Sequence, residues 1–266
     1  MLKDITLGQF FPADSIVHRI DARVKIILTF IYIIMIFFIK NFVQYGALLI
    51  FAATVIKASK VPLSLFVKSL KPMVFLISLT ALINIFTTAG EPLVTFFGFL
   101  KVTREGFYYS LFMIVRLVFL VVGSSVLTYT TSPIMLTKAM EDLLKPLGRL
   151  GFPSHEVALM MTISLRFIPA LVEETDKIIK SQASRGSDFE SGGVIARCRA
   201  LIPVFVPLFI SALRRADELA IAMESRCYNG GEGRTSLNRI KIQKTDIFVF
   251  VIVIFIFAAL LFLGRF

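Results

Sequence analysis

Five long runs of apolar, uncharged residues divide the chain, and they constrain its fold more than any other feature. They cover residues 26–39, 42–56, 73–89, 107–129 and 247–263, and the fourth is interrupted only by Arg116. A helix needs about 17–25 residues to cross the hydrocarbon core, so the last three runs are long enough and the first two are short. Because 56% of all residues are hydrophobic, the sequence predicts an all-α membrane protein with about five transmembrane helices.

The first two runs allow two interpretations. A single helix over 26–56 would place the four lysines between 57 and 71 across the membrane from the basic residues that precede the first run. Two short helices that turn at Lys40-Asn41 put both basic groups on one side, where lysine side chains can reach the interface. We predict two helices, and we expect the four lysines to orient the protein in the bilayer.

The distribution of positive charge predicts the orientation. Most of the 29 Lys and Arg residues lie before the first run, between the second and third, or between the fourth and fifth. Because positively charged loops stay in the cytoplasm, we expect a multi-pass protein of the cell membrane with a cytoplasmic N-terminus. The excess of positive charge favours anionic lipid or an acidic partner; without interleaved aromatic residues it does not favour nucleic acid.

This pattern divides the chain into three parts. Residues 1–130 are expected to form an N-terminal membrane domain with about four spans, and residues 246–266 to form the last transmembrane helix. Residues 131–245 are expected to form amphipathic cytoplasmic helices inserted before that last span. Within this insert we predict helices from Ser132-Pro133 to Pro146, then over 154–184 and 199–226.

The second and third inserted helices close on the same pattern, a serine and an arginine followed by a break in the helix. The two triplets are Ser184, Arg185, Gly186 and Ser225, Arg226, Cys227. A positive charge suits the C-terminal end of a helix dipole, so each arginine taken alone could merely cap its own helix.

Small and charged residues inside the apolar helices are candidate contact sites. Ala212, Ala216 and Ala220 recur at every fourth residue, a spacing that lets another helix cross closely, although ordinary core packing also explains it. Arg116 lies inside a predicted span, where an arginine costs about 2.5–3.5 kcal/mol and usually faces a partner or a water-filled gap. For Arg116 a role in intramembrane coupling and a structural role with bonds to helix carbonyls both stay open.

The sequence lacks the common signatures of catalysis. It contains no G-x-x-x-x-G-K-[ST], no H-E-x-x-H and no G-x-S-x-G, so P-loop nucleotide hydrolysis, zinc proteolysis and serine hydrolysis have no support. Its two histidines, His18 and His155, are separated by four predicted spans, which does not favour a metal site. We therefore expect neither an enzyme nor a cofactor-binding protein, with no catalytic, cofactor or metal residues.

Four stretches resemble the transmembrane T components of energy-coupling factor transporters, a family that includes the cobalt-transport membrane proteins. They are SIVHRIDARVKI, TREGFYYSLFMIVRLV, TYTTSPIMLTKAMEDLLKPL and, most specifically, SLRFIPALVEETDKIIKSQASRG. The resemblance covers nearly the whole chain. Three positions depart from the family's usual residues, since this chain has Ala22 in place of proline, Ser184 in place of alanine, and Cys227 in place of glycine or serine.

The resemblance implies a non-catalytic coupling subunit of an importer of the ATP-binding cassette type. In such importers two ATPase subunits hydrolyse ATP, and a small membrane subunit, the S subunit, binds a vitamin or a transition-metal ion. The resemblance also implies that the triplets 184–186 and 225–227 dock in grooves of the two ATPases. Two endings in register favour that role over simple capping.

Two other functional classes stay as alternatives. A stand-alone secondary permease or channel with a cytoplasmic helical gate would need a polar lumen, and the predicted spans supply few polar side chains. An intramembrane enzyme is less favoured because paired catalytic residues are missing. The resemblance implies that the S subunit, and not this chain, selects the vitamin or the metal ion.

Overall fold

The computed structural model describes residues 9–88, 92–96, 100–151, 153–187, 189, 193–230 and 242–264. The α-helices in these ranges are α1 (Ile16–Arg19), α2 (Ala22–Phe38), α3 (Phe42–Ser59), α4 (Leu63–Leu70), α5 (Val74–Thr87), α6 (Arg104–Thr130), α7 (Pro133–Leu144), α8 (Ser154–Ser184), α9 (Val194–Glu224) and α10 (Lys244–Leu263). Short 3₁₀ turns cover Lys71–Met73 and Lys145–Leu150. The predicted all-α class is confirmed. Within the described ranges an antiparallel hairpin of β1 (Pro92–Phe96) and β2 (Leu100–Thr103) is added between α5 and α6.

The first two apolar runs form two separate helices, as the basic flanks predicted. Helix α2 ends at Phe38 and α3 begins at Phe42, so the turn falls at the predicted position. The buried side chain of Gln44 closes the turn, because its Oε1 accepts from the backbone N–H groups of Lys40 (2.9 Å) and Asn41 (3.1 Å). Its Nε2 donates to the carbonyl of Leu260 in α10 (2.9 Å), which ties the turn to the last helix.

Among the residues that the structure describes, five helical segments are long and apolar enough to cross a membrane. They are Phe42–Ser59, Leu63–Thr87, Arg104–Thr130, Ser154–Ser184 and Lys244–Leu263. Four of them contain runs that were predicted as spans. The Leu63–Thr87 segment starts ten residues before the predicted run, because the helix continues through Lys68 and Lys71; residue 89, the predicted end of that run, lies outside the described residues.

Two helices differ from the predicted set of spans. Helix α2 has 17 residues, about 26 Å of helix, which is at the lower limit for crossing a hydrocarbon core of about 30 Å. Helix α8, which we assigned to the cytoplasmic insert, also satisfies the length and composition of a span. Its first half carries only Glu156 and Arg166 as charges, whereas its second half is rich in acidic and basic residues.

The chain divides into two compact units. One lies within Thr137–Asn238 and contains α8 and α9, and the other lies within Gln9–Leu136 and Arg239–Phe266. In the second unit α2, α3, α6 and α10 surround a core in which Ile36 and Leu48 are completely buried. The hydroxyl of Tyr32 donates to the carbonyl of Phe119 (2.9 Å), and its ring lies directly against Gly123. Glycine at this position of α6 therefore allows the two helices to approach closely.

Candidate functional site

Helix α8 ends in a Schellman motif around Arg185. The N–H of Gly186 donates to the carbonyl of Ala183 (3.0 Å), and the N–H of Ser187 donates to that of Gln182 (3.1 Å). Gly186 has φ of +89°, the left-handed conformation that closes this motif and that glycine adopts without steric cost. The break after the arginine is thus a defined helix cap.

Helix α9 ends in the same motif around Arg226. The N–H of Cys227 donates to the carbonyl of Glu224 (2.8 Å), and the N–H of Tyr228 donates to that of Met223 (3.0 Å). Cys227 occupies the left-handed position with φ of +58°, where a side chain is disfavoured. The predicted end at residue 226 is two residues beyond the observed last residue of α9, Glu224. Both triplets therefore have the same backbone conformation in the same register.

The side chains of both triplets face away from the packed parts of the protein. All six residues, Ser184, Arg185, Gly186, Ser225, Arg226 and Cys227, are exposed. Within the described part of the chain neither guanidinium has a carboxylate at ion-pair distance. Each arginine thus presents a planar donor fork, which suits bidentate bonds to carboxylates or carbonyls.

Helices α8 and α9 are joined by a polar contact at Glu174. One carboxylate oxygen of Glu174 accepts from the hydroxyl of Ser211 (2.5 Å), and the other accepts from the guanidinium of Arg215 (2.5 Å). Both partners come from α9, and they are four residues apart on one helix face. The three side chains fix the position at which the two helices meet.

The three alanines of α9 lie next to this polar contact. Ala212, Ala216 and Ala220 line a groove of about 310 Å³ between the helices, together with apolar side chains of α8 that include Phe167 and Leu171. Their small side chains leave this face of α9 open to the neighbouring helix.

Arg116 in α6 reaches the turn between α2 and α3. Its Nη2 donates to the carbonyl of Ile39 (3.3 Å) and its Nε donates to the hydroxyl of Tyr45 (3.4 Å). The guanidinium also lies over the ring of Phe112, with the carbon Cζ 5.0 Å from the ring centroid. These contacts match the structural role that the sequence left open, a charged side chain bonded to a helix-end carbonyl.

A buried polar cluster at the start of α2 was missed in the sequence. The ammonium of Lys25 donates to the carbonyl of His18 (3.2 Å), the carbonyl of Thr130 (3.0 Å) and the hydroxyl of Thr131 (3.3 Å). These three acceptors use all the donors of an ammonium group. Lys25 therefore holds the C-terminal end of α6 against the start of α2.

The same cluster holds the start of α10, where the chain returns to the membrane unit. Asp246, at the start of α10, accepts from the backbone N–H of Asp21 (3.1 Å) through Oδ1 and from that of Gln243 (2.8 Å) through Oδ2. Asp21 in turn caps α2 by accepting from the N–H of Arg23 (2.9 Å). The four-residue spacing of Asp21 and Lys25 in SIVHRIDARVKI was the available signal, since it places both side chains on one helix face.

The two histidines have structural contacts. His18 Nε2 lies 2.9 Å from the carbonyl oxygen of Phe11, and its Nδ1 lies 2.7 Å from the hydroxyl of Ser15. His155 Nδ1 lies 2.9 Å from a carboxylate oxygen of Glu141. Among the residues that the structure describes, no three His, Cys, Asp or Glu side chains are grouped as metal ligands would be.

Comparison with known proteins identifies the family to which these features belong. Residues 13–237 match the family model described as cobalt transport protein. The chain is 51% identical over 247 residues to the energy-coupling factor transporter transmembrane protein EcfT of Clostridium kluyveri, covering 92% of each chain. It is 44% identical over 265 residues to the protein of the same name from Bacillus subtilis, covering 100% of each. The chain therefore belongs to the cobalt transport protein family, as a multi-pass transmembrane component of an energy-coupling factor transporter.

Proposed function

We propose that this chain couples ATP hydrolysis by two partner ATPases to the movement of a small substrate-binding membrane subunit. The observation that carries the proposal is the repetition of one helix end: Arg185 and Arg226 follow α8 and α9 within the same capping motif, and both are exposed. Two similar ATPase subunits offer two similar grooves, so one membrane component needs two similar helix ends to engage both.

The chemistry of the triplets suits docking. A guanidinium at the C-terminal end of a helix is supported by the helix dipole and donates to carboxylates or carbonyls in a groove. The left-handed residue that follows turns the chain away at once, so that only the helix end enters the groove. The docking residues in this proposal are Ser184, Arg185, Gly186, Ser225, Arg226 and Cys227.

The contact between α8 and α9 supports the transmission of force. Glu174 binds Ser211 and Arg215, and the alanine face of α9 lines the groove beside that contact. In our proposal Ala212, Ala216 and Ala220 form the helix-crossing face. Movement of one ATPase groove would then reach both helices, because the polar contact at Glu174 joins them.

We assign the insert 131–245 and the N-terminus to the cytoplasm, where ATP is present. Residues 1–130 and 246–266 then form the membrane part in the cell membrane. Most positive charge lies on the side that this orientation places in the cytoplasm. Although α8 has the composition of a span, the five acidic and basic residues between 173 and 180 would be costly within lipid.

The remaining partner in this proposal is a small membrane subunit that binds a vitamin or a transition-metal ion. The chain itself has no catalytic role in the proposal, and it needs no cofactor. Arg116 has a structural part here, because its bonds run to the carbonyl of Ile39 and to Tyr45 within the membrane unit.

The alternative, a stand-alone permease or channel, has weaker support. Ser124 and Ser125 donate to the carbonyls of Leu120 and Val121 in their own helix, and Asn84 donates to that of Thr80. Polar side chains bonded along their own helix do not form a polar lumen.

The proposal is tested by purifying the tagged full-length chain from native membranes in mild detergent and determining the partners and their stoichiometry by mass spectrometry. We expect two ATP-binding cassette subunits and at least one small hydrophobic protein for each copy of the chain. The protein reconstituted alone should not move solute. Recovery of the chain alone, together with solute movement that needs no ATP, would instead establish the permease.

A further inference from the structure

A groove on the outside of the membrane unit combines an apolar wall with positive charge. It has a volume of about 520 Å³, within the range of about 300–1,000 Å³ usual for ligand pockets. One wall is a stripe of α3 that includes Leu49, Ala53 and Ile56, and the other is formed by Val118 and Val122 of α6. Two lysines line the end of the groove: Lys57 lies in the last turn of α3, and Lys60 is the residue that caps this helix.

The lysines of the groove lack acidic partners. Residues 22–90 contain no Asp or Glu, and within the described ranges no carboxylate lies at ion-pair distance from Lys57 or Lys60. Both side chains are exposed at the end of α3. An unpaired ammonium pair beside an apolar groove is complementary to a ligand that joins an anion to a hydrocarbon chain.

The length of the groove identifies the source of that ligand. Leu49 and Lys60 are eleven residues apart, which is about 16 Å along a helix axis. This distance is close to half of a hydrocarbon core of about 30 Å, and therefore to the depth of one leaflet. A lipid whose headgroup lies at the lysines would extend one acyl chain along the whole groove.

We propose that the groove between α3 and α6 binds one anionic phospholipid, with its phosphate at Lys57 and Lys60 and one acyl chain against Ala53 and Val118. Lys68 and Lys71 belong to the same basic cluster of the sequence, but they do not line the groove. The cluster thus has two parts, one that selects a lipid and one that only orients the protein. This inference depends on membrane embedding and not on the coupling function.

The chain has no tryptophan, so a single introduced tryptophan reports from one site. The full-length Leu49→Trp variant would be reconstituted in phosphatidylcholine vesicles that contain either brominated phosphatidylglycerol or brominated phosphatidylcholine. We expect stronger quenching by the anionic lipid at this position. Phe255→Trp, on an exposed face of α10 outside the groove, should be quenched equally by both lipids.

Two matched double variants assign the selectivity. In the Leu49→Trp background, Lys57→Gln with Lys60→Gln should weaken the preference for anionic lipid by about fivefold per lysine. Lys68→Gln with Lys71→Gln removes the same charge and should leave the preference unchanged. Lys57→Arg with Lys60→Arg should retain it, which separates loss of binding from loss of folding.

Three results would overturn the proposal. Equal quenching of Leu49→Trp by both lipids would mean that the groove does not select a headgroup. Quenching by neither lipid would mean that protein, such as a second copy of the chain, covers the groove. An equal loss of preference in both double variants would mean that only the overall charge of the cluster matters.

Discussion

Gly186 and Cys227 occupy equivalent left-handed positions, each one residue after the arginine that follows its helix, with φ of 89° and 58°. A non-glycine residue in this conformation costs about 1–2 kcal/mol. Glycine avoids this cost, but it loses more conformational entropy on folding, so its net advantage is smaller. Cys227→Gly should therefore raise the free energy of unfolding by about 0.5–1 kcal/mol, and Gly186→Ala should lower it by about 1 kcal/mol. Thermal unfolding in detergent measures both. A lower midpoint for Cys227→Gly would contradict the helix end described for α9.

The contact between α8 and α9 predicts an energetic coupling between Glu174 and Arg215. A double-mutant cycle with Glu174→Gln and Arg215→Met should give a coupling free energy of about 1 kcal/mol, because the pair is half-buried and still partly screened by water. The pair of Asp142 and Lys145 is local in sequence and has a more exposed basic side chain, so it serves as the control, with about 0.3 kcal/mol expected. Equal values for the two pairs would mean that Glu174 does not join the helices.

Gly123 should not tolerate a side chain. A Cβ atom at this position would overlap Cε1 of Tyr32 and would displace the ring that donates to the carbonyl of Phe119. We expect Gly123→Ala to lower the free energy of unfolding by about 1–3 kcal/mol. Gly46 in α3 is the matched control, since a Cβ there meets nothing within 4 Å. Gly46→Ala should be neutral or stabilising by up to about 1 kcal/mol, and equal losses at both glycines would contradict the packing described.

Lys25 should be essential to the stability of the membrane unit. Lys25→Met removes the donor for three acceptors, and it should cost about 3 kcal/mol because buried acceptors would be left unpaired. The same variant should increase proteolysis near Thr131, where the end of α6 loses its anchor. Lys40→Met, at an exposed lysine of the turn before α3, should change stability by less than about 0.5 kcal/mol. Similar stability of the two variants would exclude an anchoring role for Lys25.

Much of the helical arrangement could be predicted from periodicity and breaks. Helix α8 was predicted with the bounds that the structure shows, because Pro153 precedes it and glycine ends it. The start of the Leu63–Thr87 segment was missed because Lys68 and Lys71 interrupt the apolar run, although lysine is an ordinary helix residue at a membrane border. A search for uncharged runs identifies the hydrophobic core of a span and not the full helix.

The polar interactions were less predictable. Asp246 immediately precedes an apolar run and nothing in the local sequence marks it, yet it is buried and joins α10 to α2. Its partner Asp21 is 225 residues away, and no local pattern connects the two. The similarity of the two helix ends was visible in the sequence, but the left-handed conformation of Cys227 was not, because cysteine seldom adopts it.

The most direct test of the central claim is ATPase association in variants of the two helix ends. Arg185→Ala with Arg226→Ala should reduce co-purified ATPase by more than tenfold and abolish uptake, because each lost fork leaves partner groups unpaired at a cost of about 2–5 kcal/mol. Lys180→Ala with Arg214→Ala removes two exposed positive charges from the same helices and should leave ATPase association and uptake unchanged. Wild-type association and uptake in the double arginine variant would show that these helix ends are not the docking sites.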